Sequence, residues 1–421
     1  MSETDLGTLM PRVEKHLDRK ELTQLCLDLG NIESPYGAEG EAGQFVYDWC
    51  DAAGFSPRKV GFIEERFNVV GTLAGEDGES LLFNSHLDTG RRRGDRWILR
   101  DPDRDFYHRA WVEDGIIVGD GVINDKGPLG AFLLAARAIR DAGIRLRGDV
   151  YLSGVCGEIG QEPVDEFQGI EYASKDIGAH FLANHGPVTP DRVLVAEATS
   201  CKLVGLEAGK LHVKVIAYGH ETYTPYLGDD RYERNAITRL QAALDVLKVW
   251  IVEYEQGAVL ETSVGTCRPR VNIGAMRAGA PYRMTHTPEV AAAYVDIRLA
   301  PGQAPAPILR SVRAALSGLG DVEVEPFLYR PGHVVQGGEA LIEGLRVAHE
   351  HVIGEPLEAG DGPVASMWRD INIFNEVGIP AITYGPSRAS VDGQAGVDEA
   401  EMHRVAMVYA ATALALCGPL G

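Results

Sequence analysis

The sequence predicts an α/β domain built on a mainly parallel sheet and split by an inserted α+β domain. Three observations carry that expectation. At 421 residues the chain exceeds what one ordinary core holds. Short apolar runs that end in polar, often acidic, residues alternate with helical patterns, the order that a parallel sheet produces. Near Leu203 the texture changes to alternating strands around one long helix, and it reverts beyond residue 327. The expected division is therefore 1–202 and 328–421 for the parallel-sheet domain and 203–327 for the inserted one.

In chain order, Val13, Leu17, Leu22, Leu25 and Leu29 recur at helical spacing over 12–30, and Ile32 to Gly37 breaks the pattern. A second helix is expected over 39–53 with Gly54 behind it. Strands follow at 67–73 and 81–84, then an Arg- and Asp-rich stretch at 91–114 that reads as a surface loop. The pattern at 127–142 is apolar on almost every side and predicts a buried helix. Strands at 149–154 and 192–196 complete the first half. In the inserted domain, Leu211, Val213 and Val215 alternate, a helix spans 235–255, and strands cover 270–274 and 290–299. A buried strand at 379–384 and a helix at 399–415 close the chain.

Hydrophobic residues at 45% and charged residues at 24% are globular values. The net charge of −21, with no basic run to offset it locally, argues against nucleic acid and anionic membrane as partners. No apolar run reaches the roughly 20 residues of a spanning helix. The six cysteines are scattered without a Cys-x-x-Cys pair, and the acidic start lacks the features of a signal peptide. Both point to a reduced, cytoplasmic protein.

The chemistry concentrates at expected strand ends. Asn84-Ser85-His86-Leu87-Asp88 closes one apolar run, and alternation puts His86 and Asp88 on one side. Asn124 or Asp125, Glu158 and Glu197 fall at the ends of neighbouring segments. A lone His or Glu at a strand end is most often an ordinary polar residue, but four such ends on one sheet edge suit a metal centre. Asp88 is then the group expected to orient His86.

Ser-His-Leu-Asp at 85–88, Asn-Asp-Lys-Gly at 124–127, Gly-Glu-Ile-Gly at 157–160, Glu197, Val-Asp-Ile-Arg at 295–298 and Gly-Ile-Pro at 378–380 resemble the aminoacylase, carboxypeptidase G and succinyl-diaminopimelate desuccinylase family of metallohydrolases. The resemblance implies a catalytic domain with an inserted lid that also makes a homodimer or higher homo-oligomer. It also implies one or two divalent metals, manganese or zinc, activating water against a C–N bond of a small carboxylated substrate.

The departures narrow that reading. Asn124 stands where relatives carry a bridging Asp, and a neutral amide bridges two dications poorly, so one metal per site is expected. Register then makes His86, Asn124, Glu158 and Glu197 the metal ligands. Cys156-Gly157-Glu158 replaces the usual Asp-Glu-Glu, leaving Glu158 as either ligand or general base. Tyr223 occupies the place of the lid histidine, with His220 nearby as a substitute for oxyanion stabilisation and substrate contact. Arg298 holds the position that meets a substrate carboxylate in some relatives, or else makes a structural salt bridge. Asp370 reads as an outer partner of the metal or a structural acid, and only His403 follows Gly385-Pro386, in place of a final histidine ligand. Taken together, these departures resemble an aminohydrolase acting on an activated aromatic amine such as 5-nitroanthranilate. An N-acyl-amino-acid deacylase or dipeptidase, and a non-catalytic metabolite-binding relative, are the alternatives.

Overall fold

The computed structural model describes residues 3–90, 98–159 and 162–420. They form two compact units: 1–205 with 334–360 and 369–421, and 206–333 with 361–368.

The first unit is built on a six-stranded sheet. Its strands are β1 (Arg58–Ile63), β2 (Arg66–Leu73), β3 (Gly78–His86), β4 (Gly148–Val155), β5 (Arg192–Val195) and, after the second unit, a strand at Ala381–Thr383. The spatial order is β1-β2-β4-β3-β5 and then Ala381–Thr383. From β4 to that last strand every pairing is parallel, while β1 and β2 add an antiparallel margin. Fully buried β3 residues Leu81, Leu82 and Phe83 lie between sheet and helices, and Phe83 packs on Phe132 and Tyr409. Those partners come from the helices Gly127–Asp141 and Glu399–Cys417, both buried along most of their length. Parallel strands carry all their C-terminal ends to one edge, so His86 of β3 stands beside Val155 of β4.

Two local expectations change. The helical spacing over 12–30 belongs to two helices, Glu3–Glu14 and Arg19–Gly30. Asp18 separates them because its carboxylate accepts a hydrogen bond from the Glu21 N–H at 2.9 Å and caps the second helix. Of the expected 91–114 loop, 91–97 lie outside the described residues, and Trp111–Glu113 pairs with Ile116–Val118 in a small four-stranded antiparallel sheet. No helix among the described residues is long and apolar enough to cross a membrane.

The second unit is a four-stranded antiparallel sheet: β6 (Gly209–Tyr218), β7 (Val271–Ala278), β8 (Val290–Leu299) and β9 (Val322–Arg330), in the order β7-β8-β6-β9. Val213, Val215, Val295 and Ile297 point to the face that buries Leu240, Leu247 and Trp250 of the helix Ala236–Gly257 and Val312 of the helix Pro305–Leu316. The segment 361–368, which the sequence reading left with the parallel-sheet domain, belongs here. Asp361 bonds Arg268 at 3.0 Å, Ser366 accepts from the Arg268 N–H at 2.8 Å, and Lys210 lies over the Trp368 ring.

Candidate metal centre

The end of β3 brings a buried run, Asn84, Ser85 and His86, to the sheet edge. The His86 ring is fixed from one side, where Nδ1 lies 3.0 Å from the main-chain oxygen of Asp88 and 3.6 Å from its carboxylate. That contact makes Nδ1 the protonated nitrogen and turns Nε2 inward. The Asp88 carboxylate is itself held by the main-chain N–H groups of Glu158 at 3.0 Å and Ile159 at 2.8 Å. Asp88 thus orients the imidazole mainly through its carbonyl, and its side chain ties the end of β3 to the loop after β4.

The loop before the helix Gly127–Asp141 supplies the second group. At Asn124 (φ −139°, ψ 77°) and Asp125 (φ −146°, ψ 18°) the backbone leaves helical geometry, and the peptide bond between them is cis. Asp125 is fully buried, with Ser85 Oγ 2.8 Å from its Oδ2 and 3.0 Å from its main-chain oxygen. Asn124, the expected ligand, is half-buried beside it. The third group is Glu197, two residues beyond β5, whose Oε2 accepts from Arg369 Nε at 2.9 Å.

One ligand atom from each of His86, Asp125 and Glu197 lies within 4.8 Å of the others. His86 Nε2, Asp125 Oδ1 and Glu197 Oε1 are all buried and have no hydrogen-bond partner. Buried polar atoms are almost always satisfied, so three orphans of ligating type at one place fit a divalent cation. One imidazole and two carboxylates form a donor set that zinc and manganese both accept.

Electrostatics agree with the geometry. Burial raises the pKa of Asp125 well above the carboxylate range, helped by Glu197, and burial raises Glu197 despite Arg369. Burial likewise pushes Asp88 to about 6 and Asp370 to about 7. For His86, burial alone lowers the pKa, but Asp88, Glu158 and Glu197 outweigh it and the net shift is upward. Too many carboxylates share one dry space, and a dication relieves that excess.

The remaining candidates are placed as follows. Glu158 Oε2 is 3.9 Å from His86 Nε2, while its Oε1 accepts from Lys175 Nζ at 2.7 Å. Asp370 accepts from Asn84 Nδ2 at 2.9 Å. His403 is 2.8 Å from the Leu17 carbonyl and ties the helix Glu399–Cys417 to the turn between the first two helices. Gly160 lies outside the described residues. On the second unit, His220 is exposed, Tyr223 stacks on His286 with centroids 5.1 Å apart, and Arg298 Nε donates to Asp296 at 3.0 Å. Sequence reasoning offered Asp125 as the alternative to Asn124 and passed over Lys175 and Arg369. Asp125 was visible inside its motif, whereas Lys175 and Arg369 carry no local signal.

The sequence profile of peptidase family M20/M25/M40 matches residues 82–415. An N-formyl-4-amino-5-aminomethyl-2-methylpyrimidine deformylase of Bacillus subtilis is 32% identical over 162 residues, 37% of this chain and 36% of that protein. A probable carboxypeptidase of Neosartorya fischeri is 29% identical over 312 residues, 69% of this chain and 65% of that protein. The chain thus spans about a third and just under two thirds of these two relatives. The crystal structure of human carnosine dipeptidase 1 superposes with a TM-score of 0.70 at 13% identity, covering 98% of each chain, a likeness of fold. With the profile spanning most of its length, the chain belongs to peptidase family M20/M25/M40.

Proposed function

We propose that this protein is a metal-dependent hydrolase of an amide or related C–N bond in a small carboxylated substrate. The observation that carries the reading is the convergence of three partnerless buried atoms, His86 Nε2, Asp125 Oδ1 and Glu197 Oε1. Those residues would hold one divalent ion per site, manganese or zinc, with Asn124 as the neighbouring candidate from the sequence. Bound there, the ion would polarise a carbonyl oxygen and acidify water.

The protein's own groups divide the remaining work. Asp88 holds the imidazole with Nε2 inward, Ser85 holds one oxygen of Asp125, and Arg369 holds one oxygen of Glu197. Each contact leaves the opposite atom aimed at the cluster. Glu158 stands beside it with Oε1 tethered to Lys175, which suits a proton acceptor and carrier at Oε2. On the second unit, exposed His220 and Tyr223 are proposed as substrate-binding groups. Arg298 is a weaker candidate because Asp296 already engages its guanidinium.

Relatives named deformylase and carboxypeptidase support amide cleavage. Asn124 and Tyr223, in place of an expected Asp and His, support deamination of an activated aromatic amine such as 5-nitroanthranilate as the second reading. Manganese- or zinc-loaded protein is to be incubated with N-formyl and N-acyl amino acids, dipeptides and 5-nitroanthranilate, and the release of amine or ammonia measured. Release from an amide supports the first reading, and release from the nitroanthranilate alone supports the second. Binding without turnover of any of them favours a metabolite-binding protein and overturns both.

We also propose self-association through the second unit. Val249 and Val252 on its long helix and Met276 on edge strand β7 are exposed apolar residues that a second copy would cover. Sedimentation of the full chain tests this, and a monomer at all concentrations contradicts it. We also propose a cytoplasmic location, on the six scattered cysteines without a Cys-x-x-Cys pair in the sequence.

A further inference from the structure

Five carboxylates, Asp88, Asp125, Glu158, Glu197 and Asp370, are buried around the centre. Among the described residues, Arg369 and Lys175 are paired with members of this set. Arg369 takes one oxygen of Glu197 and leaves the other facing the cluster. Lys175 makes a pair of similar burial, its Nζ 2.7 Å from Glu158 Oε1, but Glu158, unlike Glu197, has no partnerless buried oxygen and is not in the three-residue group. Lys126 points elsewhere, donating to the Ile32 carbonyl and Ser34 Oγ.

The position of Lys175 is constructed by packing. Arg66, itself paired with buried Glu39, donates to the carbonyls of Ile170 and Ala173 and fixes the approach to the turn. Asn68 Nδ2 donates to the carbonyl of Ile177 while its Oδ1 accepts from the Cys156 N–H, which clamps the turn onto the end of β4. Ser174 Oγ donates to the Gly157 carbonyl. Gly157 permits this closeness: its φ is +71°, and a Cβ there would meet the Ser174 carbonyl oxygen at 2.7 Å. The glycine that stands where the family resemblance expects an acidic side chain therefore admits the turn that delivers an ammonium to Glu158.

We propose that Lys175 is a built-in counter-ion that withholds Glu158 from the metal, leaving His86, Asp125 and Glu197 as its protein ligands. The inference rests on the metal centre proposed above. Buried charge is stable only when compensated, and the ammonium compensates Glu158 before any metal arrives. A dication drawn onto the same carboxylate would meet the ammonium's repulsion. Glu158 Oε2 still lies 3.9 Å from His86 Nε2, but Glu158 does not join the three residues whose ligand atoms all lie within 4.8 Å of one another.

A double-mutant cycle read by Mn²⁺ affinity and by ions bound per chain tests this. In the otherwise native chain, Glu158→Gln is expected to leave Mn²⁺ affinity within about threefold, well short of the 10–100-fold typical of groups that support a metal. Lys175→Met is expected to bind Mn²⁺ at least about tenfold more tightly or to take a second ion, on the same scale. That gain should vanish in Lys175→Met/Glu158→Gln, and Lys175→Arg should behave as the native chain. A tenfold or greater loss in Glu158→Gln alone, or no gain in a folded Lys175→Met, overturns the inference and leaves the metal centre standing. Failure of the native chain to take up Mn²⁺ overturns both. The Glu158→Gln arm keeps the inference falsifiable even where Lys175→Met fails to fold.

Discussion

Each unit holds a cluster of charged side chains, and the two clusters are opposite in kind. In the second unit, Asp296 on β8 sits across the strand pair from His212 of β6, 3.4 Å away, and takes Arg298 Nε at 3.0 Å. Burial would raise its pKa, but His212 and Arg298 outweigh burial and the carboxyl falls below its ordinary value. In the first unit, Asp88 and Asp370 are pushed up to about 6 and about 7, and Asp125 and Glu197 also rise. One acid with two basic neighbours is a balanced structural contact. Several buried acids with fewer cations are an unbalanced site that a dication completes.

Removing a cation from the unbalanced cluster should have the largest effect on stability. Arg369→Met leaves Glu197 buried and uncompensated, and about 3–5 kcal/mol is expected to be lost in metal-stripped protein. Added Mn²⁺ or Zn²⁺ should recover part of that loss, because the ion supplies the charge that Arg369 did. Denaturant melts with and without metal check this, and a loss that metal leaves untouched would make Arg369 purely structural.

The pH response should separate the two clusters next. Carboxyls raised to about 6 and about 7 bind protons in the stripped native state that the unfolded chain, titrating near 4, does not. Stability of the stripped first unit therefore falls as pH rises from about 4 to 7. Asp296 has the opposite sign: its contribution is complete above the ordinary carboxylate value and is lost only as pH falls through its lowered value. Hydrogen exchange of stripped protein should show β3 peptides better protected at pH 5 than at pH 8, after correction for intrinsic rates, with no such change in β8. Asp370→Asn should flatten the β3 difference, and better protection of β3 at pH 8 would reverse the assigned signs.

The smallest effect belongs to the balanced contact. Arg298 is 29% exposed, and Arg298→Met should cost no more than about 1 kcal/mol, the range of solvent-screened pairs. A stability change within that range accompanied by a large rise in KM would restore Arg298 as a substrate-binding group.

How far the sequence reached follows the same division. His86 and Glu197 were legible because apolar runs ended on them, and parallel strands gather such ends at one edge. The second unit was legible as alternating strands around a long helix, although the segment 361–368 joined it through contacts with Arg268 and Lys210 that no local pattern announces. Register favoured Asn124 over Asp125, whereas the non-helical backbone at these two residues brings Asp125 into the group with His86 and Glu197, a turn that no sequence pattern announces. Lys175 was out of reach because Gly157, Asn68 and Arg66, all distant in sequence, place it.

The most direct test of the metal centre is the Mn²⁺ content and affinity of the native chain beside Asp125→Asn and Asn124→Ala. The account predicts a single bound ion in the native chain, little change in Asn124→Ala, and a loss of more than about tenfold in affinity in Asp125→Asn. Retention of the ion by Asp125→Asn together with its loss from Asn124→Ala would contradict it.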